Sequence, residues 1–394
     1  MFEWPLYLGL LLALAIGFWQ GYRYGKKRHR KASLNINDQY FQGLNFLLNE
    51  EPDAAIDTFI NALDVNSETL ETHLALAKLL RKRGEVDRAI RIHQNLLARP
   101  GLARDQLQQA QYELATDFAK AGLLDRAEGL LTTLVDQEGP FQIPGLKRLL
   151  EVYQDEKEWQ QGLQVLQRLG GSRFSKNFDQ WAPIRAHFCC ELAEQAIIKQ
   201  NHDGARQWLR QALGFDKQNV RANLLSGRLE IATGNPQKGV AQLQKVAESH
   251  PDYLAELLPF LAEGFQQLQA LPRYRNWLET VYQNHPMPAI ACGLADVVAQ
   301  LEGERAAAEF IAADVREHPS GMGLHQLLDY YLHFADGTTR EHLASLQTVM
   351  RRIISRSANY QCRHCGFRGQ KLHWLCPSCK HWGTIKPVRD VTNP

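Results

Sequence analysis

Four cysteines near the C-terminal end of the chain have the types and the spacing of a metal site. Cys362, Cys365, Cys376 and Cys379 form two Cys-x-x-Cys pairs within eighteen residues, although the chain of 394 residues contains only seven cysteines. Two thiolates separated by two residues face one ion when the backbone between them turns tightly, and two such pairs complete a tetrahedral sulfur site. The spacing therefore predicts that these four side chains are ligands of one metal ion.

The residues that follow the two pairs differ. Gly366 follows the first pair, where a residue without a Cβ takes positive φ at little cost and lets backbone N–H groups approach the sulfurs. Lys380 has the corresponding position after the second pair, and Gly383 comes three residues later. The sequence therefore predicts a looser turn in the second half of the motif.

Other uses of these side chains compete with a four-sulfur site. Two disulfides would need the same cysteines, but a cytosolic location, which the N-terminus predicts, would keep the thiols reduced. Three nearby histidines are alternative ligands: His364, His373 and His381. Four cysteines already fill a tetrahedral shell, so the histidines are predicted to be surface residues.

The motif resembles the zinc-ribbon and rubredoxin-type knuckle family, whose four-sulfur sites accept zinc or redox-active iron. Zinc is favoured over iron because nothing beside the cysteine pairs indicates an electron partner, and structural zinc contributes folding energy. Residues 359–394 are therefore predicted to form a small rubredoxin-like or zinc-ribbon domain. Its surface is expected to be basic, because it contains one acidic residue, Asp390, and six basic residues: Arg363, Arg368, Lys371, Lys380, Lys386 and Arg389.

The N-terminal segment predicts a membrane anchor. Residues 1–22 are uncharged from Trp4 to Tyr22, close to the length of a helix that crosses the hydrocarbon core. Six basic side chains follow within residues 23–34, a basic juxtamembrane linker, whereas a signal peptide has its positive charge before the apolar run. The positive-inside rule then predicts a single-pass protein with a periplasmic N-terminus and a cytoplasmic bulk.

The remaining composition is that of an ordinary globular protein. Hydrophobic residues make up 44% of the chain and charged residues 22%, and the net charge of +2 does not indicate nucleic-acid binding. Cys189, Cys190 and Cys292 lie in apolar helical contexts, where a free cysteine behaves as a small hydrophobe. They are predicted to be core residues.

A repeat of about 34 residues organises residues 35–319. Ala55 and Ala89 are 34 residues apart in matching pairs of amphipathic helices, which is the tetratricopeptide period. The same frame continues through small residues and closing prolines, namely Ala127, Gly162, Ala205, Gly227, Gly239, Pro251, Ala295, Ala307 and Pro319. The fold class is thus predicted to be all-α, a tetratricopeptide-repeat solenoid between the anchor and the metal domain.

Some units depart from the repeat pattern. His93 has a position that is normally large and apolar, and the unit around Trp277 keeps only its spacing. Intervals of 38 and 43 residues predict longer loops, including "GGSRFSKNFDQWAP", a hinge or partner-facing insertion. Residues 320–358 are predicted to cap the stack, with a helical stretch from Leu324 to Arg356.

The sequence favours binding over catalysis. It contains no His-Glu-x-x-His, no phosphate-binding Gly-rich loop and no Gly-x-Ser-x-Gly turn, so the chain is not expected to be an enzyme. Three roles remain: a membrane-tethered adaptor, an electron-transfer module with iron in the four-cysteine site, and nucleic-acid binding through the basic ribbon. The adaptor is favoured because it uses every segment, whereas electron transfer needs only the ribbon. Nucleic-acid binding is disfavoured because the ribbon lacks a recognisable base-reading helix.

The order of anchor, basic linker, repeats and four-cysteine knuckle resembles the lipopolysaccharide assembly protein B family of Gram-negative bacteria. The most specific stretches are "YFQGLNFLLNEEPDAAIDTFINAL" and "CRHCGFRGQKLHWLCPSCKHWG". The resemblance implies an inner-membrane adaptor that assists the membrane AAA+ protease FtsH in degrading the lipid A deacetylase. It also implies a second inner-membrane protein that antagonises this adaptor. An envelope-assembly scaffold without a proteolytic role is the remaining alternative.

Overall fold

The structure, a computed structural model, describes residues 70–98, 102–170, 178–356 and 359–388, together with a few isolated positions between 17 and 58. The chain divides into two compact units, Met1–Glu158 and Trp159–Pro394. The predicted anchor and juxtamembrane linker, and nearly all of the first repeat, lie outside the described residues. In the parts that are described, no helix is both long enough and apolar enough to cross a membrane.

The described part of the first unit consists of five helices joined by short turns. They are α1 Leu70–Arg83, α2 Val86–Leu97, α3 Arg104–Lys120, α4 Leu124–Val135 and α5 Gln142–Glu156.

The second unit continues with helices and ends in a small sheet. The helices are α6 Trp159–Gly170, α7 Phe178–Ile198, α8 His202–Phe215, α9 Val220–Ala232, α10 Pro236–Ser249, α11 Leu254–Gln267, α12 Leu271–Asn284, α13 Pro288–Glu302, α14 Glu304–Glu317, α15 Gly321–Phe334 and α16 Gly337–Arg356. A short 3₁₀ turn, Pro251–Tyr253, precedes α11, and the strands are β1 Tyr360–Cys362, β2 Arg368–Gly369 and β3 Ile385–Pro387.

The two helices of each repeat are joined by a turn with one residue in the left-handed region. Within the two units, the residues at this position are Gly84, Gly122, Gln200, Gly234, Gln269 and Gly303, with φ between 54° and 98°. A left-handed residue ends the first helix and redirects the chain within a few residues, so that the second helix packs back on the first. The recurrence of this turn confirms helix pairs at the repeat spacing that the sequence predicted.

Small residues lie where neighbouring helices cross most closely, as the repeat frame predicted. A Cβ added at Gly239 would lie 2.5 Å from the carbonyl oxygen of Gly227, and one added at Gly162 would lie 2.3 Å from the ring of Phe188. Such distances are far below van der Waals contact. The helices therefore approach each other only because no side chain stands between them.

The polar residue at an apolar repeat position, His93, belongs to a buried network in the first unit. Its Nδ1 lies 2.5 Å from Oδ2 of Asp117, and both side chains are fully buried. Arg81 donates to Asp117 and to Glu113, each at 2.7 Å. Paired charges satisfy one another away from water, which is why these side chains are tolerated between helices.

Two details of the predicted architecture need correction. The segment "GGSRFSKNFDQWAP" is not a continuous loop, because α7 begins at Phe178 and includes Pro183. The terminal stretch predicted from Leu324 to Arg356 begins earlier and is broken, since α15 and α16 are separated at Ala335 and Asp336. Much of the 43-residue interval between Gly162 and Ala205 thus belongs to α7, which is 21 residues long.

Candidate metal centre

A three-stranded antiparallel sheet carries the four cysteines. Strand β1 lies in the middle and pairs with β2 on one side and β3 on the other. In the register, Tyr360 pairs with Gly369 and with Pro387, and Cys362 pairs with Ile385. The sheet places the first cysteine at the end of its central strand. We refer to residues 359–388 as the ribbon.

Each cysteine pair sits in a knuckle with the same backbone hydrogen bonds. In the first knuckle the N–H of Gly366 donates to the carbonyl of Cys362 at 3.0 Å, and the N–H of Cys362 donates to Phe367 at 2.8 Å. In the second, Lys380 donates to Cys376 at 2.9 Å and Cys376 donates to His381 at 3.0 Å. The repeated pattern brings the first and second sulfur of each pair to the same side of the turn.

The prediction of a looser second knuckle is wrong. Lys380 adopts φ 57°, close to the φ of 79° at Gly366, and makes the equivalent bond to the first cysteine of its pair. An L-residue in this region costs roughly 1 kcal/mol, which the hydrogen bonds of the turn offset. Gly383, with φ 65°, then turns the chain into β3.

The four sulfurs converge as a tetrahedral site requires. All four ligand atoms lie within 4.8 Å of one another. The Sγ atoms of Cys362 and Cys379 are 3.8 Å apart, and those of Cys365 and Cys376 are 3.7 Å apart. Four sulfurs held at about 2.3 Å from a central zinc would be separated by about 3.8 Å. These distances far exceed a disulfide bond of about 2.0 Å, and all four cysteines are free. The donor set therefore fits a metal ion.

Backbone amides favour the thiolate form on the first knuckle. Burial acts to raise the pKa of Cys362, but the Thr384 hydroxyl and the N–H groups of His364 and Cys365 lower it below its usual range. The N–H of Phe367 similarly lowers the pKa of Cys365. In the second knuckle, burial raises the pKa of Cys379. Since metal binding requires deprotonated thiols, these donors around the first knuckle favour the form of its cysteines that binds a metal.

The three histidines of the ribbon are exposed, as predicted. The rings of His364 and His381 stack with centroids 3.9 Å apart, and Nδ1 of His381 lies 2.8 Å from the carbonyl of Cys379. Ligand atoms of these two histidines and of Cys379 also lie within 4.8 Å of one another. Cys379 already belongs to the four-cysteine group, which by itself supplies the four ligands of a tetrahedral site, so the cysteines are the better ligand set.

The ribbon packs on the repeat helices through Trp382. The indole stacks on His187 of α7 with centroids 4.9 Å apart, and it meets Phe188 at 5.8 Å and Trp159 at 6.0 Å edge to face. The guanidinium of Arg221 lies 5.9 Å from the same ring. Trp382 therefore joins the second knuckle to α6, α7 and α9.

A second contact joins the ribbon to the 3₁₀ turn and α11. Trp374 stacks on Tyr253 with centroids 5.6 Å apart. The Lys386 ammonium lies over the Tyr253 ring at 4.4 Å and donates to its hydroxyl at 2.7 Å, and Tyr360 donates to Glu256. One predicted basic side chain of the ribbon, Lys386, is thus used for docking.

Two polar side chains under Trp382 were not identified from the sequence. Burial, and then the nearby charge of Arg221, lower the pKa of His187 to about 3, so this imidazole is neutral. Arg221 is 3% exposed, with Glu191 and Glu194 at 2.8 and 2.9 Å. In the sequence, His187 and Arg221 are single polar residues on amphipathic helices. Their role becomes apparent only from the ribbon that packs against them.

The other cysteines behave largely as predicted. Cys189 and Cys190 are fully buried in the core that α7 forms with α8 and α9. Burial raises the pKa values of both thiols, that of Cys189 to about 12. Cys292, on α13, differs because it is only half-buried and lines a surface groove.

Comparisons with known proteins cover both the ribbon and the repeats. Residues 360–387 match a family model described as a rubredoxin metal binding domain, and residues 42–103 match one described as a tetratricopeptide repeat. Lipopolysaccharide assembly protein B of Escherichia coli K12 is 35% identical over 387 residues, which cover 98% of each chain. The protein of that name from Haemophilus influenzae is 33% identical over 394 residues, again covering 98% of each chain. This similarity, which extends through repeats and knuckles alike, shows that the chain belongs to the lipopolysaccharide assembly protein B family.

Proposed function

We propose that this protein is an inner-membrane adaptor that regulates lipopolysaccharide synthesis by bringing the lipid A deacetylase to the membrane protease FtsH. The names of the relatives support a role in lipopolysaccharide assembly, and their similarity extends over 98% of this chain. A protease fixed in a bilayer meets a soluble substrate slowly, whereas a tethered binding surface raises the local concentration of that substrate. The adaptor therefore needs binding surfaces and no chemistry of its own.

The observation that carries this proposal is the docking of the ribbon on the repeat helices. Trp374 and Trp382 attach both flanks of the second knuckle to elements that are far apart in sequence. Within the second unit, the ribbon and the helices that it contacts consequently share one packed surface, and a binding site on packed elements holds its partner in a defined orientation. A substrate presented to a protease needs such an orientation.

The metal in this proposal is one structural zinc ion. Cys362, Cys365, Cys376 and Cys379 would hold it, and the ion would supply a cross-link between two knuckles that the three short strands alone hold weakly. Metal analysis of protein produced without iron or zinc bias tests the assignment. One zinc per chain is expected, and stoichiometric iron would exclude it.

Electron transfer is a second candidate because Cys365 is exposed, which places one ligand sulfur within reach of a redox partner. It requires iron with a reversible visible redox spectrum. A colourless zinc protein would remove this candidate.

The topology is also part of the proposal. Residues 1–22 would span the inner membrane with the N-terminus in the periplasm, leaving the repeats and ribbon in the cytoplasm. Reporter fusions at Pro394 should be active only with cytoplasmic reporters. Deleting Met1 to Gln20 should leave a folded repeat protein that has lost function, because the substrate is no longer concentrated at the membrane.

The decisive experiment measures the half-life of the deacetylase. Depleting the adaptor should lengthen that half-life and overproduce lipopolysaccharide, and losing either the anchor or the four-cysteine site should do the same. Removing the antagonising inner-membrane protein should shorten the half-life. A half-life unchanged on complete removal of the adaptor would favour the scaffold without a proteolytic role.

A further inference from the structure

A groove of about 390 Å³ lies on the repeats, lined by residues of α11, α12 and α13. Most of its lining residues are apolar, among them Ala255, Ala262, Ala289 and Gly293, and the polar members are Gln266, Gln300 and Asp296. A Cβ added at Gly293 would have Leu258 as its nearest neighbour, at an ordinary 3.7 Å, so the space beside this helix is open. The volume lies within the range of roughly 300–1,000 Å³ that is usual for ligand pockets. It admits a few side chains rather than a whole helix.

The groove also offers two hydrogen-bond acceptors. Pro259 lies inside α11 and has no N–H to donate to the carbonyl of Ala255, and both residues line the groove. Asp296 lines the groove on the opposite helix, α13. One of its carboxylate oxygens, Oδ1, accepts from Gln326 at 2.6 Å and from Tyr330 at 3.2 Å, so these two side chains fix the direction of the carboxylate.

No lysine or arginine lines the groove beside Asp296. Neither α11 nor α13 contains one. The third helix, α12, carries Arg273, which is exposed, and Arg275, which pairs with Glu279 and Glu302. In the described part of the chain, no ion pair involves Asp296. An apolar groove with a fixed, exposed carboxylate is complementary to a ligand with an apolar body and a cationic end.

We propose that this groove binds a peptide segment of a partner protein in which an apolar side chain is followed, about one helical turn later, by lysine or arginine. The apolar side chain occupies the space beside Gly293, and the cation meets Asp296 and the carbonyl of Ala255. The identification of this partner as the deacetylase rests on the proposed function, but the peptide chemistry does not.

Two matched peptides test the proposal directly. Each is a labelled 15-residue alanine-based helix with a central leucine and, four residues later, either lysine or glutamate. Their binding to the full-length chain in detergent is measured by fluorescence anisotropy. The lysine peptide is expected to bind at least roughly tenfold more tightly, because it forms a charge-assisted hydrogen bond where the glutamate peptide meets a like charge. Equal binding of the two peptides, or no binding of either, overturns the proposal.

Charge reversal in the protein locates the site. Asp296→Lys should invert the preference toward the glutamate peptide, and Asp296→Asn, which keeps an acceptor for Gln326 and Tyr330, should abolish the preference. Glu263→Lys is the matched control, since it makes the same change of charge on α11 at an exposed position outside the groove lining. An inversion by Glu263→Lys, or none by Asp296→Lys in a chain with wild-type circular dichroism, contradicts the assignment.

A steric variant and a sedimentation measurement complete the test. Gly293→Leu fills the groove without changing its charge and should weaken binding of the lysine peptide at least tenfold. Asp296→Lys should leave the sedimentation coefficient unchanged, because the groove is expected to bind another protein. If the variant instead dissociates a dimer, the occupant of the groove is a second copy of this chain, and the proposal is overturned. The deacetylase half-life is measured separately. If Asp296→Lys inverts the peptide preference but the half-life is unchanged in cells lacking the adaptor, the groove binds the peptide as proposed and the proposed function is wrong.

Discussion

The left-handed position after each cysteine pair is occupied by different residues, Gly366 and Lys380, in otherwise equivalent turns. A Cβ added at Gly366 would meet no atom within 4 Å, so a substitution there changes only the backbone conformational energy. The two positions thus form a natural pair for measuring what the knuckle conformation costs.

Gly366→Ala should destabilise the ribbon by about 1 kcal/mol, because alanine is strained at positive φ. Lys380→Gly should be neutral or stabilising by up to about 1 kcal/mol, since it relieves the same strain. Chelator-dependent unfolding of the ribbon, followed by tryptophan fluorescence, measures both. Equal stability of Gly366→Ala and the wild type would show that the knuckle tolerates a Cβ without cost.

His187 makes the stability of the docked ribbon depend on pH. Its pKa is about 3 in the folded chain, far below the ordinary value of about 6.5. Above pH 6.5 the imidazole is neutral both folded and unfolded and contributes no pH dependence. As the pH falls from 6.5 toward 3, the unfolded chain binds a proton that the folded chain excludes, so folding stability decreases.

We therefore expect the wild type to lose about 1 kcal/mol more stability than His187→Phe when the pH falls from 7 to 5.5. Denaturant unfolding of the metal-loaded protein at the two pH values gives the comparison. Phenylalanine keeps an aromatic ring against Trp382 but cannot titrate, so metal release affects both proteins equally. Parallel pH profiles would mean that His187 does not carry the effect.

At the scale of elements, the turn between the second knuckle and β3 docks the ribbon. Trp382 contacts aromatic rings on α6 and α7 and the guanidinium of Arg221 on α9. Aromatic pairs contribute about 0.5–1.5 kcal/mol beyond the area that they bury. This side chain is therefore expected to supply much of the docking energy.

Trp382→Ala should lower the stability of the docked ribbon by about 3 kcal/mol and leave the knuckles able to bind metal. Limited proteolysis should then release the ribbon faster than in the wild type, with zinc content unchanged. Trp382→Phe, which keeps an aromatic ring, serves as the control and should be affected less. Wild-type protease resistance of the alanine variant would place the docking energy on the Tyr253 and Trp374 pair instead.

The whole molecule combines a solenoid, whose helices contact mainly their neighbours, with a ribbon that contacts several of them at once. Removing the metal should therefore have a local effect that extends only to the helices under the ribbon. The core formed by α13, α14 and α15 has its own buried side chains, including Ala291, Ala307 and Ile311.

Chelation of the metal, or Cys376→Ser, should disorder the ribbon while far-ultraviolet circular dichroism changes little. Hydrogen exchange should accelerate in α7, α9 and the 3₁₀ turn before α11, where His187, Arg221 and Tyr253 lose their cover, and remain unchanged in α14. Cys292→Ser is the matched control, because it replaces a cysteine outside the knuckles. Accelerated exchange throughout the solenoid would show that the metal supports the whole fold.

The sequence by itself predicted the helix pairs and the four cysteines that converge. Both are encoded locally: a helix pair needs a periodic apolar face and one turn, and a knuckle needs two thiols separated by two residues. The small residues at Gly162, Gly227 and Gly239 were identified for the same reason, since their spacing reports helix crossings.

Only the tertiary structure decided which surfaces those parts form together. Lys386 and Tyr253 are 133 residues apart and Tyr360 and Glu256 are 104 apart, and no local pattern relates such positions. The neutral state of His187 and the position of Asp296 in a groove without a lining lysine or arginine likewise depend on what surrounds each side chain. The physical reason is that desolvation and electrostatic complementarity arise from neighbours in space, which a single sequence does not specify.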